Sequence, residues 1–187
     1  MKALVLGASG QVGAALVNVL RARGHEPLGT YAQHPAPEAT IQLDLRDTPA
    51  VEHTIATAQP DWILCPAALS WVDYCEEHPD EAFTLNRDAP LAAARAGRRL
   101  AGAGFVYFST DYVFDGHAGP YAETDVPHPL GVYGQSKLEG ERALLDGAPR
   151  TLVVRTSVVY GPERQEKNFV YQLIRSFRDG RPLRMSW

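Results

Sequence analysis

A chain of 187 residues with a formal net charge of −4, 45% hydrophobic and 21% charged residues, has the makeup of an ordinary soluble protein. That balance gives no reason to expect nucleic acid or an anionic membrane as a partner, and no apolar run approaches the ~20 residues a membrane span needs. The length suffices for one well-buried domain and the start of another.

From the amino end, Lys2 and a few small or apolar residues precede Gly7, too short a stretch for a signal peptide. Lys2–Leu6 reads as a buried strand and leads into Gly7-Ala8-Ser9-Gly10-Gln11-Val12-Gly13. The following Ala14–Leu20 is helical and apolar on most sides, as suits a helix packed on a sheet, and Gly24 ends it. Second and third strands are predicted over Pro27–Thr30 and Thr40–Leu43. Strand, Gly-rich turn, helix and strand make a nucleotide-binding β-α-β unit. A helix after Asp47 carries Val51, Ile55 and Ala58 until Pro60-Asp61 stops it, and Trp62–Cys65 is a fourth strand with Pro66-Ala67-Ala68 at its carboxyl end. A short helix over Trp71–Glu77 gives way at Pro79 to a longer Ala-rich one from Asp80 to Leu100. Phe105–Phe108 is a fifth strand, and the Pro-containing loop after it is too long for mere connection. A helix over Val132–Leu145, a sixth strand over Thr151–Arg155, a polar loop over Gly161–Lys167, a helix over Asn168–Asp179 and a last short strand near Pro182–Arg184 complete the order.

This alternation predicts an α/β fold of Rossmann type: a doubly wound, mostly parallel sheet with helices on both faces. The sequence stops at Trp187 just as a new element begins. Residues 1–160 are therefore expected to form the nucleotide-binding domain, and residues 161–187 only the start of a truncated substrate-binding region.

In such a sheet, ligands bind outside the carboxyl ends of the strands. Ser109-Thr110-Asp111-Tyr112 falls there, where the fifth strand turns abruptly polar. Tyr133 and Lys137 stand at i and i+4 and share one helical face. A tyrosine with an ordinary pKa near ~10 is a poor proton donor at neutral pH, and a nearby ammonium lowers that value. Tyr133 is thus expected to protonate a carbonyl oxygen as hydride reaches the carbon, with Thr110 holding the oxygen in line. A helix-capping Tyr133 and a solvated Lys137 form the plain alternative.

Gly7, Gly10 and Gly13 divide the labour of a phosphate-binding turn: a tight turn, close backbone approach to a pyrophosphate, and close packing of helix on sheet. The second strand ends in Thr30-Tyr31-Ala32-Gln33-His34, with no carboxylate before Glu38 to repel a 2′-phosphate and no Arg to grip one. The reading favours NADPH and admits NADH. Asp44-Leu45 is placed to touch an adenine, or Asp44 caps a turn. Asp73, Asp111 and Tyr112 are pocket-lining or simple loop residues, and Asn86 bridges backbone groups within its helix. Cys65 and Cys75 belong to no Cys-x-x-Cys pair or His/Cys cluster, so two buried or semi-buried thiols, no metal and a cytoplasmic location are expected.

Together these residues resemble the extended short-chain dehydrogenase/reductase superfamily and, within it, the dTDP-4-dehydrorhamnose reductase family. The resemblance rests on Ser109-Thr110-Asp111-Tyr112-Val113-Phe114-Asp115-Gly116 and on Tyr133-Gly134-Gln135-Ser136-Lys137-Leu138-Glu139-Gly140-Glu141. Val72-Asp73-Tyr74-Cys75-Glu76, Asn86, Arg155-Thr156-Ser157-Val158-Val159-Tyr160-Gly161-Pro162 and Lys167-Asn168-Phe169-Val170 support it. It implies that Thr110, Tyr133 and Lys137 are catalytic and that Lys137 also holds the nicotinamide ribose. Gly7, Ser9, Gly10, Gln11, Val12, Gly13, Thr30, Tyr31, Asp44, Leu45, Ala67 and Ala68 would line the cofactor. The substrate would be a nucleotide-linked 4-keto-6-deoxy sugar and the product dTDP-L-rhamnose, with Asp73, Asp111 and Tyr112 near the sugar and Asn168 nearer the nucleotide.

Members of that family run well beyond this length, so cofactor binding with slow or no turnover is expected. The family also contains the regulatory β subunit of methionine adenosyltransferase, so a non-catalytic nucleotide-binding module is one alternative. A sugar-nucleotide epimerase or dehydratase is another, although only Asp111 follows Thr110 where dehydratases carry an acidic pair. A homodimer is compatible with the sequence and not specified by it.

Overall fold

In the computed structural model, which describes residues 1–162, 164, 166 and 168–182, the sheet runs β3-β2-β1-β4-β5-β6 with every strand pair parallel. The strands are β1 (Lys2–Val5), β2 (Glu26–Tyr31), β3 (Ile41–Gln42), β4 (Trp62–Cys65), β5 (Gly104–Thr110) and β6 (Thr151–Thr156). The order reverses between β1 and β4, and the crevice at that reversal is where doubly wound sheets bind ligands.

Alternation along the central strands builds two cores. Leu4 and Leu6, Ile63 and Cys65, and Phe105 and Tyr107 point to one face, where they pack with Val51, Ile55, Ala93 and Leu144. Val5 points to the other with Ala8 and Val17, and Leu64 packs against them. The first face is covered by α2 (Thr48–Ala58), α5 (Ala89–Ala101) and α6 (Val132–Gly147); the second carries α1 (Gln11–Ala22). Asp47 caps α2 by accepting from Ala50 N at 3.0 Å, and Gln59 in a left-handed conformation (φ 44°) closes it just before Pro60.

The Ala-rich helix expected from Asp80 to Leu100 is not continuous. After α3 (Val72–Glu77) come α4 (Pro79–Phe83), a π turn over Thr84–Asp88, and then α5. Pro90 explains the break: it has no N–H for the carbonyl of Asn86, and its ring crowds that oxygen. The freed Asn86 carbonyl accepts instead from the buried Tyr107 hydroxyl. The Asn86 side chain also departs from expectation. It reaches out of its own helix, accepting from Leu69 N (2.9 Å) and donating to Leu69 O (3.0 Å) and Ser136 Oγ (3.0 Å).

β5 runs two residues further than expected. Ser109 and Thr110 still pair with Arg155 and Thr156 of β6 before a 3₁₀ turn over Asp111–Val113. Asn168 caps α7 (Phe169–Asp179) through Val170 N and Tyr171 N. The short strand expected near Pro182–Arg184 falls largely on residues outside those described. Among the described residues no helix is long and apolar enough to cross a membrane.

Candidate functional site

The turn from β1 into α1 is shaped by what its glycines leave out. Gly7 has φ +85°, and a Cβ there would stand 2.9 Å from the Ala67 side chain; one on Gly13 would run into the Gly7 carbonyl oxygen and lie 2.7 Å from Ala8 Cα. Gly10 is exposed, and its missing Cβ would meet only Gly7 O, at 3.5 Å. The turn is thus closed on the sheet side and open toward the crevice. Thr30 holds it there: its Oγ1 accepts from Gly7 N (3.2 Å) and its carbonyl from Ala8 N (2.7 Å). Thr30 is 1% exposed, so its hydroxyl serves the turn.

A trough crosses the carboxyl ends of the strands from this turn. At one end a cavity of about 280 Å³ is lined by Gly7, Thr30, Asp44, Leu45, Ala67 and Ala68. At the other, a cavity of about 370 Å³ is lined by Val12, Ala68, Ser109, Thr110, Tyr133 and Lys137, with Asp111 and Tyr112 at its wall. Ala68 belongs to both. Ser9, Gly10 and Gln11 line a third hollow, of about 480 Å³, beside the turn. Gly13, buried against Gly7 and Ala8, lines none of these cavities, and two further expected residues lie elsewhere. Tyr31 packs into the core beside Val5 and Val17, and Asp73 is exposed on α3; neither lines these cavities. Asn168 Nδ2 donates to Gly161 O at 2.9 Å and lies 3.5 Å from Gln11 Oε1, which puts it beside the third hollow and outside the two cavities of the trough. A larger cavity, about 560 Å³, is at the amino ends of β1 and β2, away from this chemistry.

Tyr133 and Lys137 meet at the trough as expected, with electrostatics that differ from the sequence reading. Lys137 is 1% exposed, which rules out the solvated alternative. Its Nζ donates to Phe108 O at 2.7 Å and sits 3.9 Å from the Tyr107 ring centroid. Burial lowers its pKa to about 8, with Cys65 and Glu141 pulling the other way. The ammonium therefore faces the strand, and burial, not the lysine, dominates at Tyr133: its phenol is held above its ordinary value, partly offset by a hydrogen bond with Thr110. Tyr112 meets Tyr133 edge to face at 5.6 Å. Behind this pair lies a second pocket of about 510 Å³ lined by Phe114, Tyr121 and Leu130.

Three further features had no local signal. Arg155 on β6 grips Glu141 on α6 (2.6 Å at the shortest), fixing the helix that carries Tyr133 to the sheet. Arg46 lines the 280 Å³ cavity, held by Asp44 (2.6 Å) and Glu81 (3.3 Å), although no arginine follows β2 directly. The Asp44 carboxylate serves its turn as well, accepting from Arg46 N at 2.9 Å. Glu38 is buried against Arg164, which holds its carboxyl down at about 2, and Asn18 adds a bond at 3.3 Å.

The chain matches the RmlD substrate binding domain family over residues 1–186. It is 39% identical over 175 residues to the probable low-salt glycan biosynthesis reductase Agl14 of Haloferax volcanii, covering 91% of this chain and 57% of that protein. It is equally similar, 39% over 170 residues, to methionine adenosyltransferase 2 subunit beta of Bos taurus, covering 90% of this chain and 50% of that one. The dTDP-4-dehydrorhamnose reductase of Sinorhizobium fredii is 39% identical over 176 residues, 94% of this chain and 55% of that one. A solved structure of dTDP-4-dehydrorhamnose reductase from Bacillus anthracis in complex with NADP superposes with a TM-score of 0.84 at 31% identity, covering 95% of this chain and 60% of that one. The chain spans about half the length of the curated relatives it matches.

Proposed function

Because the chain belongs to the RmlD substrate binding domain family, we propose that residues 1–160 are the NAD(P)H-binding domain of a reductase acting on a nucleotide-linked 4-keto-6-deoxy sugar. Residues 161–187 would begin its substrate region. The observation that carries this reading is the pair of adjoining cavities, sharing Ala68, that lead from Gly7 and Val12 of the glycine turn to Thr110, Tyr133 and Lys137.

The residues fit a dinucleotide. The open side of Gly10 and the amino end of α1 suit a pyrophosphate, while Asp44, Leu45 and Ala67 line the adenine end. A bound nicotinamide would supply the hydride. With a pKa about 8, Lys137 is mostly cationic at neutral pH and can hold a ribose hydroxyl. Tyr133, with its pKa raised, keeps its proton until a carbonyl oxygen gains negative charge, and Thr110 bonds the same oxygen. No carboxylate closes β2 to oppose a 2′-phosphate, so NADPH is the favoured cofactor and NADH is admitted; Arg46, in the same cavity, is already paired with Asp44 and Glu81. A non-catalytic regulatory module is the second reading, favoured by the equal similarity to the β subunit; the intact Thr110, Tyr133 and Lys137 weigh against it.

The test is fluorescence titration with NADPH and NADH, then absorbance with a dTDP-4-keto-6-deoxy sugar added. Saturable binding with cofactor oxidation supports the reductase, and Tyr133→Phe is expected to lower that rate by about 10²- to 10⁴-fold with cofactor affinity kept. Binding without oxidation, in this chain and in a version extended to the relatives' length, favours the regulatory reading. Failure to bind either cofactor sinks both.

A further inference from the structure

Among the described residues, Ser109 Oγ is the one buried side-chain oxygen or nitrogen without a hydrogen-bond partner, on a residue only 5% exposed. An unpaired buried hydroxyl is a cost that native structures rarely carry without cause. Its surroundings explain why nothing in the chain satisfies it. Lys137 Nζ is spent on Phe108 O, the carbonyl of the peptide that joins Ser109 to Phe108. Thr110 Oγ1 donates to Asp111 and accepts from Tyr112 N. Arg155, the register partner of Ser109 across the ladder, is committed to Glu141. Thr156 Oγ1 donates to the Ser109 carbonyl at 3.3 Å, not to its hydroxyl.

The position of Ser109 narrows what the missing partner is. Alternation puts it on the same face of β5 as Tyr107, whose ring lies under the Lys137 ammonium. It lines the 370 Å³ cavity with Val12, Ala68, Tyr133 and Lys137, not the cavity at the adenine end. We infer that Ser109 is a positioning residue whose hydroxyl bonds a polar group of the nicotinamide riboside end of the bound cofactor. The inference rests on the dinucleotide-binding reading above and adds a residue to it.

The experiment compares wild type, Ser109→Ala and Ser109→Thr by thermal unfolding of the free protein and by titration with NADPH, NADH and 2′,5′-ADP, a ligand lacking the nicotinamide half. Ser109→Ala is expected to leave the melting temperature of the free protein unchanged or higher, because it removes an unpaired hydroxyl. It should raise Kd for NADPH and NADH alike by roughly 3- to 10-fold, the loss of one ordinary hydrogen bond, and leave 2′,5′-ADP unaffected. Ser109→Thr, which keeps the hydroxyl, should recover most of the affinity. A Ser109→Ala protein that melts lower and binds both dinucleotides as wild type does would make the serine structural, and overturn the inference while the dinucleotide reading stands. An equal loss for 2′,5′-ADP would also overturn it. Wild-type protein that binds no dinucleotide would remove the reading underneath.

Discussion

Lys137 is a cation kept out of water, and its cost can be read from pH. Its folded pKa of about 8 lies below the ordinary 10.5, so between those values the unfolded chain holds a proton that the folded chain has released. Stability therefore rises with pH across that window, and the penalty is fully present below it. Lys137→Met should stabilise the free protein on the order of 1–3 kcal/mol at neutral pH, with the advantage shrinking toward pH 10.5. Urea unfolding of both proteins across the window checks this, and parallel pH profiles would contradict it. Gly13→Ala tests the turn: its Cβ would meet backbone, not a flexible side chain, so a loss of about 1–3 kcal/mol and weakened cofactor binding are expected in the same assays. The Tyr133–Lys137 pairing was legible in the sequence because i,i+4 spacing is a local property. The electrostatics were not, because the Tyr107 ring, Phe108 carbonyl and Cys65 that surround Lys137 come from other strands.

At the scale of elements, the segment from α4 to α5 shows how one residue redirects a helix. Pro90 denies Asn86 its helical partner, the turn widens, and Asn86 becomes a tie among the loop after β4, α6 and the Tyr107 hydroxyl. Asn86→Ala leaves Leu69 N, Leu69 O and Ser136 Oγ each short of a bond, at a cost on the order of 2–4 kcal/mol. Chemical denaturation measures it, and a change within a few tenths would mean that the tie is slack. Composition and periodicity marked one Ala-rich helix there, correct in extent and blind to the break. The clue was the Pro90–Asn86 spacing, four residues, which matches the helical hydrogen bond that proline removes. β5 outran its apolar run for the opposite reason: ladder pairing with β6 carries Ser109 and Thr110 past the point where hydrophobicity stops.

For the whole molecule, the trough spans the reversal of strand order, so a ligand lying along it touches segments that follow all six strands. NADPH at about a hundredfold over its Kd should add about 2.7 kcal/mol and raise the melting temperature by about 5–10 °C. A scan with and without cofactor checks it, and an unmoved transition would exclude binding to the native state. The order of strands and helices was readable because each carries its own periodicity. Pairings such as Glu38 with Arg164, and Glu141 with Arg155, join separate elements and have no such local mark. The central place of β1 also has a consequence for synthesis. Its edge toward β2 is filled early, but Ala3, Leu4 and Val5 wait for Trp62, Ile63 and Leu64 on the other side. At roughly 5–20 residues per second, the nascent chain carries an apolar, unpaired strand edge for several seconds. During that interval the exposed edge is open to mispairing with a neighbouring chain.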